Sequence, residues 1–273
     1  MQSPQTMTQR TLSRSTTGLT LAAATLALAL GLTGEGAFAQ QPAPAAAGVL
    51  AQAPSASTAG VGTVTHLSGT LAVRKNDGAT RFLSVSSAIG EGDTLTTQQG
   101  TYARVKFADG SEVVMRPQTQ FKIDNYKFDE QKPESDNMLV SLLKGGLRSV
   151  SGVLGKRNRD RVSCATPTAT VGIRGTNFGL LYCQGDCSGI AGAGKTLPNG
   201  LHVDVAQGAV ILQNAGGTLV LATGQFGFVA PGGAPVVVPP SQGIQVTMPQ
   251  SISRNAGGGS TLGGRRTDSE CAL

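Results

Sequence analysis

From Val61 onward, apolar and polar residues alternate in short runs, punctuated every eight to twelve residues by Gly, Asp or Asn. In "TYARVKF", Tyr102, Arg104 and Lys106 alternate with Ala103, Val105 and Phe107. Asp109-Gly110 then marks a tight hairpin, after which Val113 and Met115 continue the pattern and Phe121 and Ile123 flank Lys122. A period of two puts successive side chains on opposite faces, so these runs predict strands buried on one side. "VTHLSGTLAVRKNDG" reads as strand, Gly, strand and an Asn-Asp-Gly turn. "MLVSLLKGGLRSVSG" reads as two strands about a Gly145-Gly146 corner, and "LHVDVAQGAVILQNAGGTLVLATGQFGFV" as strands and turns again. The inward positions predict a core of Val64, Leu71, Val73, Leu95, Val105, Phe107, Val113, Phe121, Ile123, Phe178, Val203, Val205, Val210, Leu212 and Leu221. The expected fold is all-β, a twisted solenoid or sandwich of short strands and hairpins.

The pattern also repeats. Setting Gly69 against Gly208 aligns Val64 with Val203, Leu71 with Val210, Val73 with Leu212 and Gly78 with Gly217. A shared V-x-x-x-x-G-x-[LV]-x-[LV] unit at both ends of the core points to stacked, hairpin-like layers.

The alternation stops at both ends of the chain. Arg10 and Arg14 precede an uncharged apolar run, Leu19–Leu32, and Ala37-Phe38-Ala39 follows it with small residues at the two positions a signal peptidase reads. Fourteen apolar residues fall short of the roughly 20 that cross a bilayer, so residues 1–39 read as a cleavable signal. Residues 40–60 are a Pro/Ala/Ser-rich linker, 61–230 the β domain and 231–273 a Pro/Gly-rich low-complexity tail. The expected location is periplasmic or secreted, after cleavage near Ala39.

Composition agrees with strands rather than helices, with 38 Gly, no Trp and 14% charged residues in a chain of 273. The formal net charge of +6 is mildly basic and by itself names no partner.

Family-specific residues appear at "IGEGDTLTTQQGTYARVKFADGSEVVMRPQTQFKI". Gly92-Asp93, Leu95, Thr97, Asp109-Gly110-Ser111 and Ile123 follow the pattern of the FecR-type periplasmic domain, which this stretch resembles. Downstream, Thr166, Pro167, Gly175, Thr176 and Phe178 look like the family's T-P…G-T-x-F element, and "VDVAQGAVIL…LATGQ" like its closing strands. The matched Gly92, Asp93, Asp109, Gly110, Gly175 and Thr176 are expected to be structural, because Gly supplies φ > 0 and Asp caps backbone N–H groups in turns. The resemblance implies a domain that senses or binds through protein contacts rather than catalysing a reaction. In full-length family regulators a cytosolic anti-sigma segment and a membrane helix precede it, and it relays a signal from an outer-membrane receptor. Only 18 residues precede the apolar run here, too few for an anti-sigma segment.

Other candidate chemistry is tested against this frame. "GIAGAGKT", Gly189–Thr196, fits the phosphate-loop pattern G-x-x-x-x-G-K-[ST]. That loop needs a strand before it and a helix after it. Here "QGDCS" separates it from the preceding apolar run, and Pro198-Asn199-Gly200 would stop a helix in its first turn. It is expected to be a surface loop, with no nucleotide and no cofactor bound. Cys164, Cys183, Cys187 and Cys271 suit disulfides in an oxidising compartment. Cys183 could close on Cys187 across a Gly-Asp bend, or Cys164 could reach Cys183, leaving Cys187 for Cys271. Zinc is disfavoured because C-x-x-C knuckles are missing. The run "GKRNRDR" offers Lys156, Arg157, Arg159 and Arg161 as a contact for an anionic polymer or lipid head groups, against the plainer reading of a solvated loop. No aromatic residues interleave it, so nucleic acid is not expected. A Glu91/Asp93 carboxylate pair has no third ligand nearby. His66 and His202 sit in strand patterns, and neither G-x-S-x-G nor H-E-x-x-H occurs, so no enzyme is expected. The leading expectation is a binding or sensing module of the cell envelope. Its partner would be an outer-membrane receptor or inner-membrane regulator. The second expectation is a structural envelope protein contacting peptidoglycan or an anionic surface polymer.

Overall fold

Among the described residues, fifteen strands form one continuous mixed sheet, and three of them bend sharply enough to fold that sheet into two facing leaves. The computed structural model describes residues 60–187 and 197–253. The expected signal peptide, most of the linker, the Gly189–Thr196 loop up to Thr196, and Cys271 lie outside the described residues.

The strands are β1 (Gly62–Ser68), β2 (Leu71–Arg74), β3 (Thr80–Leu83), β4 (Ala88–Ile89), β5 (Thr94–Thr97), β6 (Tyr102–Phe107), β7 (Glu112–Met115) and β8 (Gln120–Lys127). The long β9 (Asn137–Val150) follows, then a short helix α1 (Val153–Arg157), β10 (Val162–Ala165), β11 (Thr170–Cys183), β12 (Gly200–Asn214), β13 (Gly217–Ala222), β14 (Phe226–Val229), β15 (Val236–Val238) and a final turn of helix, α2 (Gln250–Ser253).

In leaf I the order is β3-β2-β5-β8, the first half of β9, β10, the first half of β11, the second half of β12, then β13. In leaf II it is β4-β1-β6-β7, the second half of β9, the second half of β11, the first half of β12, β14, then β15. Neighbours run antiparallel except β9 and β10, which are parallel. Strands β9, β11 and β12 therefore each serve both leaves. The bends in β9 and β12 fall at Gly145 and Gly208, both with φ of +80°. That backbone is costly for any residue with a Cβ. At Gly145 a Cβ would also lie 2.7 Å from the carbonyl of Gln118. The Gly corner expected in "LLKGGL" is present, as a bend within one strand.

All fifteen residues expected in the core are buried in one cluster between the leaves. The sequence echo has a physical counterpart. Gly69 (φ +105°) takes the chain from β1 in leaf II to β2 in leaf I, as Gly208 does within β12. The following turns, Gly78 and Gly217, return it into β3 and β13, and β4 and β14 then rejoin leaf II. Two bent hairpins thus close opposite sides of the sandwich.

The Pro/Gly-rich stretch after Val229 contributes structure of its own. It supplies β15 between Pro235 and Pro239, and a strap of residues 239–253 in which Val246 and Ile252 are buried. The strap crosses the outer face of leaf II, where Val246 joins Leu181, Cys183, Cys187 and Leu197 in a second apolar cluster flanked by Ile244 and Met248. Side chains grip its backbone. Asp204 Oδ2 accepts from Val246 N–H (2.9 Å), Arg148 Nε donates to Val246 O (2.9 Å) and an Arg116 guanidinium N–H donates to Thr247 O (2.9 Å). Arg148 also pairs with Asp204 at 2.5 Å and donates to Asn177 Oδ1.

Candidate functional site

The family-pattern turns are the joints of the structure. Gly92 (φ +81°) turns the chain into β5, its N–H donating to Ile123 O at 2.7 Å. Asp93 is buried, with Oδ2 accepting from Gly90 N–H (2.8 Å) and pairing with Lys75 (2.7 Å). Its neighbour Glu91 is spent separately, accepting from Tyr126 N–H at 3.0 Å. The two carboxylates do not converge.

Asp109 is only 3% exposed, and its carboxylate accepts four hydrogen bonds. Its Oδ1 accepts from Ser111 N–H (3.1 Å), Ser111 Oγ (2.6 Å) and the Tyr126 hydroxyl (3.2 Å), while Oδ2 accepts from Leu154 N–H (3.3 Å). Asp109 N–H in turn donates to Tyr126 Oη at 2.9 Å. Burial, then the adjacent Asp109 carboxylate, pushes the Tyr126 phenol well above its ordinary range, so it stays a donor. Gly110 (φ +80°) completes the β6–β7 hairpin. Gly175 (φ +64°) and Thr176 lie in the bend of β11, where Thr176 N–H donates to Ser151 Oγ (3.0 Å) and Ser151 N–H to Thr176 O (2.9 Å). The D-G-S and G-T elements, far apart in sequence, therefore clasp the same stretch, residues 151–154, which leads into α1 and the basic run.

Of the four basic candidates, Arg157 is already engaged. It pairs with the fully buried Asp136 (2.6 Å), donates to Asp129 O (2.7 Å) and lies over the Phe128 ring at 4.9 Å. A guanidinium so bound holds the 128–136 loop against α1. Asn158 makes a further bond to Pro133 O. Lys156, Arg159 and Arg161 are exposed, and with Asp160 they line an open depression.

The cysteines resolve one alternative. Cys183 and Cys187 form a disulfide at the end of β11. Cys164, a candidate partner in the other pairing, is a buried free thiol facing the core, and burial pushes its pKa up to about 12. Strand β10 points it inward between its Val140 and Val171 neighbours, away from the β11 terminus. Near the disulfide, Asp186 pairs with Lys144 at 3.2 Å. Despite partial burial, the Gln184 N–H bond and Lys144 hold its carboxyl below the usual range.

His202 is buried in β12, with Nε2 at 2.9 Å from Pro198 O and its ring 4.7 Å from Phe228. Burial lowers its pKa, a shift the Pro198 bond partly offsets. His66 is half-buried at a register shift in β1, opposite Arg104, and the two histidines belong to strands on opposite sides of leaf II.

Sequence reasoning missed the strap and its three clamps. A signal was present: Asp204 and Arg148 each interrupt an apolar strand, at positions where alternation points them away from the core.

Three comparisons bear on this geometry. Residues 93–211 match the family model described as FecR protein. No curated protein sequence matches the chain. Among solved structures, two crystal structures are each described as a candidate anti-sigma factor from Parabacteroides distasonis ATCC 8503. They share 16% and 18% identity with this chain at a TM-score of 0.40, covering 59% of this chain and 62% of theirs. The chain thus spans about three fifths of the length of those proteins. A structure described as a cell surface anchoring domain shares 28% identity at a TM-score of 0.22, over 22% of this chain and 80% of its own. The family match runs from Asp93, through the Asp109-Gly110-Ser111 hairpin and the Gly175-Thr176 bend, into β12, so the part of the chain similar to the FecR family includes strands of both leaves.

Proposed function

We propose that the protein is an exported module of the bacterial cell envelope that binds and senses through protein–protein contacts and performs no catalysis. One observation carries the reading: the FecR match over residues 93–211, with the motif residues spent on holding turns and clasping residues 151–154. A domain whose most specific residues build the frame leaves recognition to its surface. The Cys183–Cys187 disulfide supports export into an oxidising compartment, as does the signal-like segment ending near Ala39. Among the described residues, no helix is long and apolar enough to cross a membrane. The partner class is an outer-membrane receptor or an inner-membrane regulator.

In-cell crosslinking of the C-terminally tagged protein, with envelope fractionation and mass spectrometry of the captured species, tests this. Capture of a receptor or a membrane-embedded regulator is the expected result. Recovery only as uncrosslinked protein, or as material released from cell wall by salt, would refute the protein-partner reading. N-terminal sequencing of the mature form should begin near Gln40.

A further inference from the structure

The outer face of leaf I carries a second feature, independent of the protein-partner reading. Ser163 of β10 pairs across the sheet with Gly172 of β11, and Gly172 with Ile211 of β12. All three point away from the core, because their chain neighbours Cys164, Val171 and Leu212 are buried in it. Gly172 has no side chain, and an added Cβ there would meet only Ile211, at 3.6 Å. The row therefore dips into a groove of about 370 Å³, within the roughly 300–1,000 Å³ typical of small-molecule sites.

The groove's lining has a definite chemistry. Ser163, Thr170 and Gln213 supply hydroxyl and amide groups, Ile211 an apolar surface, and Arg159 and Arg174 two guanidinium groups. Arg159 and Asp160 are shared with the depression formed by Lys156–Arg161, so the groove opens directly onto those cations. Asp160 is the one acidic group in the lining. It meets Arg174 at 3.4 Å with side-chain exposures of 90% and 45%, and an exposed pair of this kind is worth little. Arg174 is accordingly available to an incoming carboxylate.

We propose that this groove binds an acidic saccharide, a segment of a polymer whose sugar units carry carboxylates. A pyranose presents an apolar C–H face and a hydroxyl edge, which match Ile211 and the Ser163, Thr170 and Gln213 groups. Its carboxylate is the bidentate partner a guanidinium prefers. Nucleic acid fits worse, because no aromatic side chain lines the groove to stack a base.

Titration calorimetry of the full chain with trigalacturonate, at low and at physiological salt, tests the proposal. Saturable binding is expected, with little response to a neutral trisaccharide of the same length. Gly172→Val should fill the floor without straining the strand, since Gly172 is not at positive φ and β-branched residues suit strands. It should weaken binding about tenfold or more. Arg174→Ala should do likewise through loss of a charged hydrogen bond. Circular dichroism and melting of each variant establish that the fold is retained. Three results would each overturn the proposal: no heat with trigalacturonate, binding unchanged by Gly172→Val, or inorganic phosphate competing as well as the trisaccharide. The last two would mean that surface charge alone attracts the anion. Because the test involves no protein partner, it stands or falls separately from the crosslinking result.

Discussion

Asp109 shows how much one side chain can hold. Removing its carboxylate strands the Ser111 N–H, the Ser111 hydroxyl, the Tyr126 hydroxyl and the Leu154 N–H in a buried site. Each unsatisfied buried donor costs about 1–3 kcal/mol. Asp109→Ala should therefore lower unfolding stability by about 3 kcal/mol or more, and Asp109→Asn by less, as measured by urea denaturation. A loss under about 1 kcal/mol would mean that the hairpin does not depend on this hub. His202 gives the chain a pH dependence of a fixed sign. Its folded pKa lies below the ordinary value of about 6.5, so the unfolded chain takes up a proton that the folded chain resists. Stability from this group is complete above the unfolded pKa and declines as pH falls below it. Melting temperature should drop between pH 7.5 and 5. In His202→Gln the drop should be smaller, and identical slopes would remove His202 from the account. The Asp109 turn was legible in the sequence, because D-G between alternating runs is a local signal. The role of His202 was not, because Pro198 and Phe228 reach it only in the folded chain.

At the scale of elements, glycine placement decides what can lie on what. Gly179 of β11 faces the strap: an added Cβ would collide with Asp204 Oδ2 and lie 2.6 Å from Val246 Cβ. On the strap side, Gly243 seats against the Phe226 ring in the same way. Gly179→Val should thus lift residues 239–253 from leaf II while the core between the leaves persists. Limited proteolysis should then cut near Thr247 before any other described segment, and the wild-type protein should resist under the same conditions. Unchanged protection of that segment would show that the strap does not rest on Gly179. The strap was not legible in the sequence for a related reason. In the strap only Ile244, Val246 and Met248 alternate with Gln245 and Thr247, a short run before Pro249, and its backbone is held by Arg116, Arg148 and Asp204 rather than by a strand ladder. The basic run looked uniform for a similar reason. Nothing local distinguishes Arg157, whose Asp136 and Phe128 partners arrive from the preceding loop, from exposed Arg159 and Arg161.

For the whole molecule, the echo between Val64–Gly78 and Val203–Gly217 becomes a pair of bent hairpins that close the sandwich on opposite sides. The middle is bridged by β9, β11 and β12, which run through both leaves. The pattern of side chains alone determined the all-β class, the strand faces and the core. Burying one face of a strand fixes every second residue, and that constraint is written locally. The glycine corners and the Asp-Gly hairpin were legible for the same reason, since positive φ is a property of one residue. Only tertiary structure decided which strands pair, which cysteine meets Cys183, which arginine is spent in an ion pair, and where a side-chain-free glycine opens a groove. Most of those depend on groups distant in sequence meeting within a few ångströms, a separation that no local period encodes, and Cys183 closes on nearby Cys187 while β10 holds Cys164 in the core.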